Sequence, residues 1–165
     1  MIDLQKRYKK NRLVSFSALE EEKISLSTEH LSAHGVFFGG VILQAVDEIA
    51  RKVAQSHAGF LLDDNGIDCV RFSGSVKKAD ILVCSASINK AWKFSLEVGV
   101  KVIAEDFRLL DKKKILSAYF TFVVKEEDKT QMILPLVIPQ TKDQKKRFHA
   151  AEKRKLLRFG PFSRR

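Results

Sequence analysis

His34-Gly35-Val36-Phe37-Phe38-Gly39-Gly40 runs directly into Val41-Ile42-Leu43-Gln44-Ala45-Val46-Asp47-Glu48-Ile49-Ala50, and this junction decides how the chain is read. A glycine-rich loop passes here into a helical pattern. Ile42, Ala45, Val46, Ile49, Ala50 and Val53 recur at three- and four-residue steps, which predicts a helix from Phe38 to about Ser56. The apolar stripe is wide, so a sheet should cover it, with Gln44, Arg51 and Gln55 on the opposite side. Gly39 and Gly40 leave backbone N–H groups open at a helix N-terminus, where the dipole favours negative charge. Two turns further on, Asp47 stands along a small, apolar ridge of Leu43, Ala50 and Ala54. Amides facing a carbonyl oxygen, with a carboxylate holding a water, are a set of parts for attack on a carbonyl. The plainer reading of Asp47 is an exposed helix aspartate.

Outward from the helix the pattern changes to strands. Leu13 to Leu26 mixes β-branched and polar residues and predicts a first strand with an acidic kink at Glu20-Glu21-Glu22; residues 27–37 read as a loop. Asn65-Gly66 signals a turn, after which strands are expected at about 67–76, 80–90, 94–105 and 115–125. In the third of these, Leu96, Val98, Val100, Val102 and Ala104 share one face, and Glu97, Gly99, Lys101 and Ile103 the other. That alternation fits an antiparallel sheet with one better-buried face. Pro135 and Pro139 bracket an extended segment. A second helix is expected from Lys142 to Arg158, with Thr141 as its N-cap. One early helix and a run of long strands make an α+β layout, the helix lying across a curved antiparallel sheet.

The 165 residues fit a single domain, read as a basic extension (1–12), a body (13–140) and a basic helix with its tail (141–165). No apolar run is long enough for a transmembrane helix, and the N-terminus lacks the apolar region of a secretory signal. Cys69 and Cys84 are the only cysteines, so no disulfide and a reducing cytosol are expected. The four His and two Cys show no metal-ligand spacing, so no metal site is expected. The net charge of +10 sits at the ends. Residues 141–165 hold ten Lys/Arg against two acids and residues 1–12 hold five against one, leaving the body at about −2. Nucleic acid, an anionic membrane or a multiply phosphorylated small molecule would each answer such charge, as would a merely solvated helix face. Phe148 and Phe159 are too few and too separated to act as stacking platforms, which argues against nucleic acid. Phe37, Phe38, Phe72, Phe120 and Phe122 read either as core or as the lining of an apolar tunnel.

Four segments taken together resemble the hotdog-fold acyl-CoA thioesterases of the cytosolic acyl-CoA hydrolase family. They are His34-Gly35 with Phe38-Gly39-Gly40 and Asp47-Glu48; Ala104-Glu105-Asp106; Ala118-Tyr119-Phe120-Thr121-Phe122-Val123-Val124; and Leu134-Pro135-Leu136-Val137-Ile138-Pro139-Gln140-Thr141 leading into the basic helix. The resemblance implies a hotdog fold, in which an antiparallel sheet wraps a long helix. It implies dimers with sites at their interface, often assembled as trimers of dimers. It also implies hydrolysis of acyl-CoA to free CoA and a fatty acid in the cytoplasm, with no cofactor beyond the CoA of the substrate. The family's catalytic acid falls on Asp47, and the amides that polarise the thioester fall on Phe38, Gly39 and Gly40. Where the family usually has Asn, this chain has Ser32, whose hydroxyl is shorter and carries one proton. In the turn that contacts CoA, Lys93 and Ser95 are kept in kind, but Trp92 and Phe94 replace Gly and Thr. Ala79-Asp80 stands for the family's Gly-Asp. His34 and Gly35 are candidates for substrate contact, as are Lys145, Lys146 and Arg147 for the CoA phosphates. The alternative reading is a hotdog protein that binds acyl-CoA or acyl chains without efficient hydrolysis.

Overall fold

The computed structural model describes residues 10–106 and 111–159. Most of the basic N-terminal extension and the tail from residue 160 lie outside the described residues.

The long helix forms as the periodicity predicts. Helix α1 spans Gly39–Ala58 and buries Ile42, Val46, Ile49, Ala50, Val53 and Ala54. It ends at Gly59, whose φ of +83° places it in the left-handed region; its N–H donates to Gln55 O at 2.7 Å. Five strands form one antiparallel sheet: β2 (Leu19–Ile24), β3 (Asp63–Phe72), β4 (Ile81–Ala91), β5 (Ser95–Asp106) and β6 (Asp111–Val123). Their spatial order is β2-β4-β5-β6-β3, which leaves β2 and β3 at the edges. A short pair, β1 (Arg12–Leu13) with β7 (Val137–Ile138), runs parallel beside it.

The predicted faces of β5 explain the layers. Leu96, Val98, Val102 and Ala104 are buried in one core cluster with α1. The opposite face was expected to be the less buried one, yet Glu97 has no solvent exposure. The cause is the second helix, α2 (Lys142–Phe159), which docks there. Glu97 accepts from Arg154 Nη2 at 2.6 Å and Nε at 3.1 Å, from Arg158 Nη2 at 3.2 Å and from Asn89 Nδ2 at 3.0 Å. Arg158 also reaches Asp68 on β3 at 3.1 Å and Thr121 on β6. The two helices therefore lie on opposite faces of the sheet. Thr141 is the N-cap, as expected. Its Oγ1 accepts the Gln144 N–H at 3.2 Å, while Gln144 Oε1 accepts the Thr141 N–H at 3.2 Å, a capping box.

Two local expectations are corrected. The single strand over Leu13–Leu26 is instead a 3-10 turn at Val14–Phe16 followed by β2. The kink at Glu20–Glu22 is real: the β2–β4 register shifts between Leu19 and Glu22, and Glu21 has φ +58°. Asn65-Gly66 does not separate two elements. It lies inside β3, which starts at Asp63 rather than 67, and the turn signal is spent on a bulge between Asp64 and Gly66.

Candidate active site

The loop before α1 is fixed by its own backbone. Ser32 N–H donates to Val36 O and Gly35 N–H to Ser32 O, each at 2.9 Å, and Gly35 takes φ +70° to close the turn. Ser32 Oγ accepts the Val36 N–H at 3.3 Å. The hydroxyl at the family's Asn position thus closes the turn. His34 is exposed at the tip of that turn. Phe37 N–H donates to Val76 O at 2.9 Å, which ties the loop to the chain entering β4.

Phe38 is the N-cap of α1 and offers no side-chain cap; the first turn carries no acidic residue. Gly39 and Gly40 are the first two helical residues, so their amides have no acceptor within the helix. The Phe38 amide differs from expectation: it points at His30 O, 3.4 Å away. Gly39 also packs closely. A Cβ there would lie 3.1 Å from Cζ of Phe72, which brings β3 against the helix start.

Asp47 follows Gly39 by eight residues, which at ~1.5 Å per residue sets them roughly 12 Å apart along the axis. One protomer therefore does not bring its own amides and its own carboxylate to a single carbonyl. Nor is Asp47 alone on an apolar ridge. Its Oδ2 accepts from Arg51 Nη2 at 3.1 Å, and the same nitrogen donates to Asp64 Oδ2 on β3 at 2.5 Å. Arg51 stands one turn after Asp47 and shares its face, away from the buried apolar stripe as expected. Asp64 first, then Asp47, raises the Arg51 pKa further above its already high value, against the opposing effect of burial. The Asp47 side chain is 31% exposed. Glu48 is exposed, consistent with a surface charge.

The remaining candidates lie elsewhere. Lys93 is in the β4–β5 turn and Ser95 opens β5; Trp92 N–H donates to Ser95 O at 2.7 Å and Leu134 N–H to Lys93 O at 3.1 Å. Trp92 at the family's Gly position has a role of its own, donating its indole N–H to Glu152 of α2 at 3.1 Å. Lys145, Lys146 and Arg147 are exposed on α2, across the sheet from Asp47 of the same protomer. Phe120 and Phe122 are buried core, whereas Phe38 and Phe72 are 56% and 45% exposed beside the helix start. Among the described residues no His, Cys, Asp or Glu cluster could hold a metal, and no helix is long and apolar enough to cross a membrane. Sequence reasoning missed Arg51 and Asp64. The four-residue step from Asp47 to Arg51 was a legible signal; the β3 partner was not.

Comparison with known proteins follows the same lines. The pattern of the Thioesterase superfamily matches residues 34–110. The chain is 30% identical over 125 residues to the cytosolic acyl coenzyme A thioester hydrolase of Mus musculus, covering 74% of this chain but only 33% of that protein. It thus spans about a third of that relative's length. It is 30% identical to protein VdlD of Helicobacter pylori (strain ATCC 700392 / 26695), covering 76% of this chain and 71% of that one. A crystal structure of an apo-hexameric acyl-CoA thioesterase superposes with a TM-score of 0.86 at 26% identity, covering 94% of this chain and 99% of that one. On these matches the chain belongs to the hotdog-fold acyl-CoA thioesterase family.

Proposed function

We propose that the protein hydrolyses acyl-CoA thioesters to free CoA and a fatty acid, with Asp47 as general base. The observation that carries this reading is the pairing, on one helix, of an uncapped glycine start with a partly exposed carboxylate two turns on. Water bound to Asp47 loses a proton to the carboxylate as its oxygen bonds the thioester carbon. Gly39 and Gly40 amides hold the developing oxyanion. The C–S bond then breaks, and the CoA thiolate leaves and takes up the proton. The reaction consumes water and draws on no cofactor.

The roughly 12 Å between the two parts makes the site a shared one. In a two-fold dimer with the helices antiparallel, the glycine start of one protomer meets Asp47 of its partner. Edge strand β3 supports this pairing. Among the described residues it has no strand neighbour on its outer side, and it exposes Ile67, Val70 and Phe72, with Phe38 and Leu61 nearby. The hexameric relative supports a trimer of such dimers. His34 and Gly35 remain our candidates for substrate contact, with Lys93 and Ser95. The name of the mouse relative supports a cytosolic site of action.

Release of free thiol from a panel of acyl-CoAs tests the activity. Asp47→Asn is expected to lower kcat by roughly 10²–10⁴ with the fold intact. Near-native turnover in a folded Asp47→Asn protein would remove Asp47 from this role.

A further inference from the structure

We infer that Arg51 and Asp64 are a positioning pair for Asp47: Arg51 fixes one carboxylate oxygen, and Asp64 holds Arg51 back from neutralising it. This rests on Asp47 as the base, and nothing in the reaction as described above uses either residue. A single guanidinium nitrogen, Arg51 Nη2, serves both carboxylates, and the Asp64 contact is the shorter, 2.5 Å against 3.1 Å. The guanidinium carbon lies 5.9 Å from the Phe122 ring centroid, so the side chain runs along the core edge between α1 and the sheet. Asp64 stands next to the bulge at Gly66, whose φ is +150°, and pairs in register with Phe122. Position in the sheet therefore sets where the guanidinium is drawn.

The charge balance gives the arrangement its effect. A cation bonded to a carboxylate favours the ionised form and weakens it as a base. Two carboxylates sharing one cation leave the trio with a net negative charge. Asp47 is then oriented through Oδ2, while Oδ1 is left for the attacking water. The charged groups recorded around the pair are Asp47 and Arg51 from α1 and Asp64 from β3. Asp63, next on β3, is matched by Lys125 at 4.0 Å, and Glu48 on α1 is exposed. An ordinary surface ion pair would be worth about 0–1 kcal/mol and would leave catalysis untouched.

The two halves of the pair predict opposite shifts. In Arg51→Met the acid limb of the kcat/KM profile should move to higher pH, because the cation beside the carboxylate is gone. Its kcat should fall about tenfold with KM within about twofold, since positioning acts on the chemical step. In Asp64→Asn the limb should move to lower pH, because Arg51 is then free to bind Asp47 alone. Arg51→Lys should recover part of the loss. A carbon-detected NMR titration of the Asp47 carboxyl in the same proteins reads the pairing without turnover. Asp64 is an exposed strand residue, so its variant serves if Arg51→Met does not fold. Unmoved profiles and an unmoved Asp47 titration, or shifts of the same sign in both variants, would overturn the pairing. Turnover retained in Asp47→Asn would instead overturn the base assignment, so the two failures are separable.

Discussion

A Cβ on Gly99 would stand 2.5 Å from Asn89 Nδ2, 2.9 Å from its Oδ1 and 3.0 Å from its Cγ. Asn89 cannot step aside cheaply, because it is buried and its amide donates to the fully buried Glu97 at 3.0 Å. Gly99→Ala should therefore break that bond and destabilise the fold by about 1–3 kcal/mol, the usual cost of overpacking a filled site. Denaturant unfolding checks this; a loss below about half a kcal/mol would mean that Asn89 repacks. At this scale Glu97 is the residue whose environment departs most from its chemistry. It sits in a strand among apolar neighbours, yet two arginines from one helix complete its hydrogen bonds. Cys84 shows the other outcome of burial, with its thiol pKa pushed up to about 12, chiefly by desolvation.

The last turn of α1 carries a pH-sensitive join. His57 is buried, and its Nε2 lies 3.0 Å from Pro135 O, while Arg12 donates to Ser56 O at 2.9 Å and to His57 O. Burial, with a smaller contribution from the Arg12 charge, lowers the His57 pKa, although the Pro135 carbonyl opposes it. The unfolded chain then binds more protons than the folded one below the ordinary histidine pKa of ~6.5. The contribution of His57 is therefore fully present above that pH and is lost as pH falls through it. Tm measured from pH 8 to 5 should drop below about 6.5, and His57→Leu should flatten the drop. An equal drop in both proteins would assign the acid sensitivity elsewhere. Helix α2 divides its charges between two faces. Arg154 and Arg158 are consumed by Glu97 and Asp68, while Lys145, Lys146 and Arg147 face solvent. Since α1 and α2 occupy opposite faces, our proposal that these outer cations contact CoA phosphates requires the CoA of a neighbouring subunit. Changing all three to Gln should raise KM for acyl-CoA and do much less to acyl-pantetheine, with added salt acting the same way. Equal effects on the two substrates would make the helix structural.

At the scale of the whole molecule, β3 is an edge unpaired among the described residues, bearing Ile67, Val70 and Phe72, each about 40–45% exposed. Long apolar edges of this kind are templates for pairing with a second chain. A lysine on such an edge disfavours pairing, so Val70→Lys should shift the protein toward monomer in light scattering. Because the proposed site is shared, thiol release should fall in proportion to the monomer fraction. A monomer with full activity would refute the shared site.

The positions of α1, the strands β4 to β6 and the α2 cap were legible in the chain, because helix and strand periods and caps are written in local spacing. The family was legible only through the resemblance that the four motif segments carry, not through period or spacing. Asp47, Gly39 and Gly40 were legible as candidates from their places on one helix. What tertiary structure alone decided is who stands beside them. The ion pair of Arg51 with Asp64 joins residues 13 apart through a strand whose register depends on a bulge. The burial of Glu97 needs arginines 57 and 61 residues away. That the Ser32 hydroxyl accepts the Val36 N–H across its turn was likewise set by the folded loop. The basic helix is placed behind the sheet because two of its arginines neutralise a buried carboxylate there, a long-range balance of charge and desolvation that no local pattern encodes.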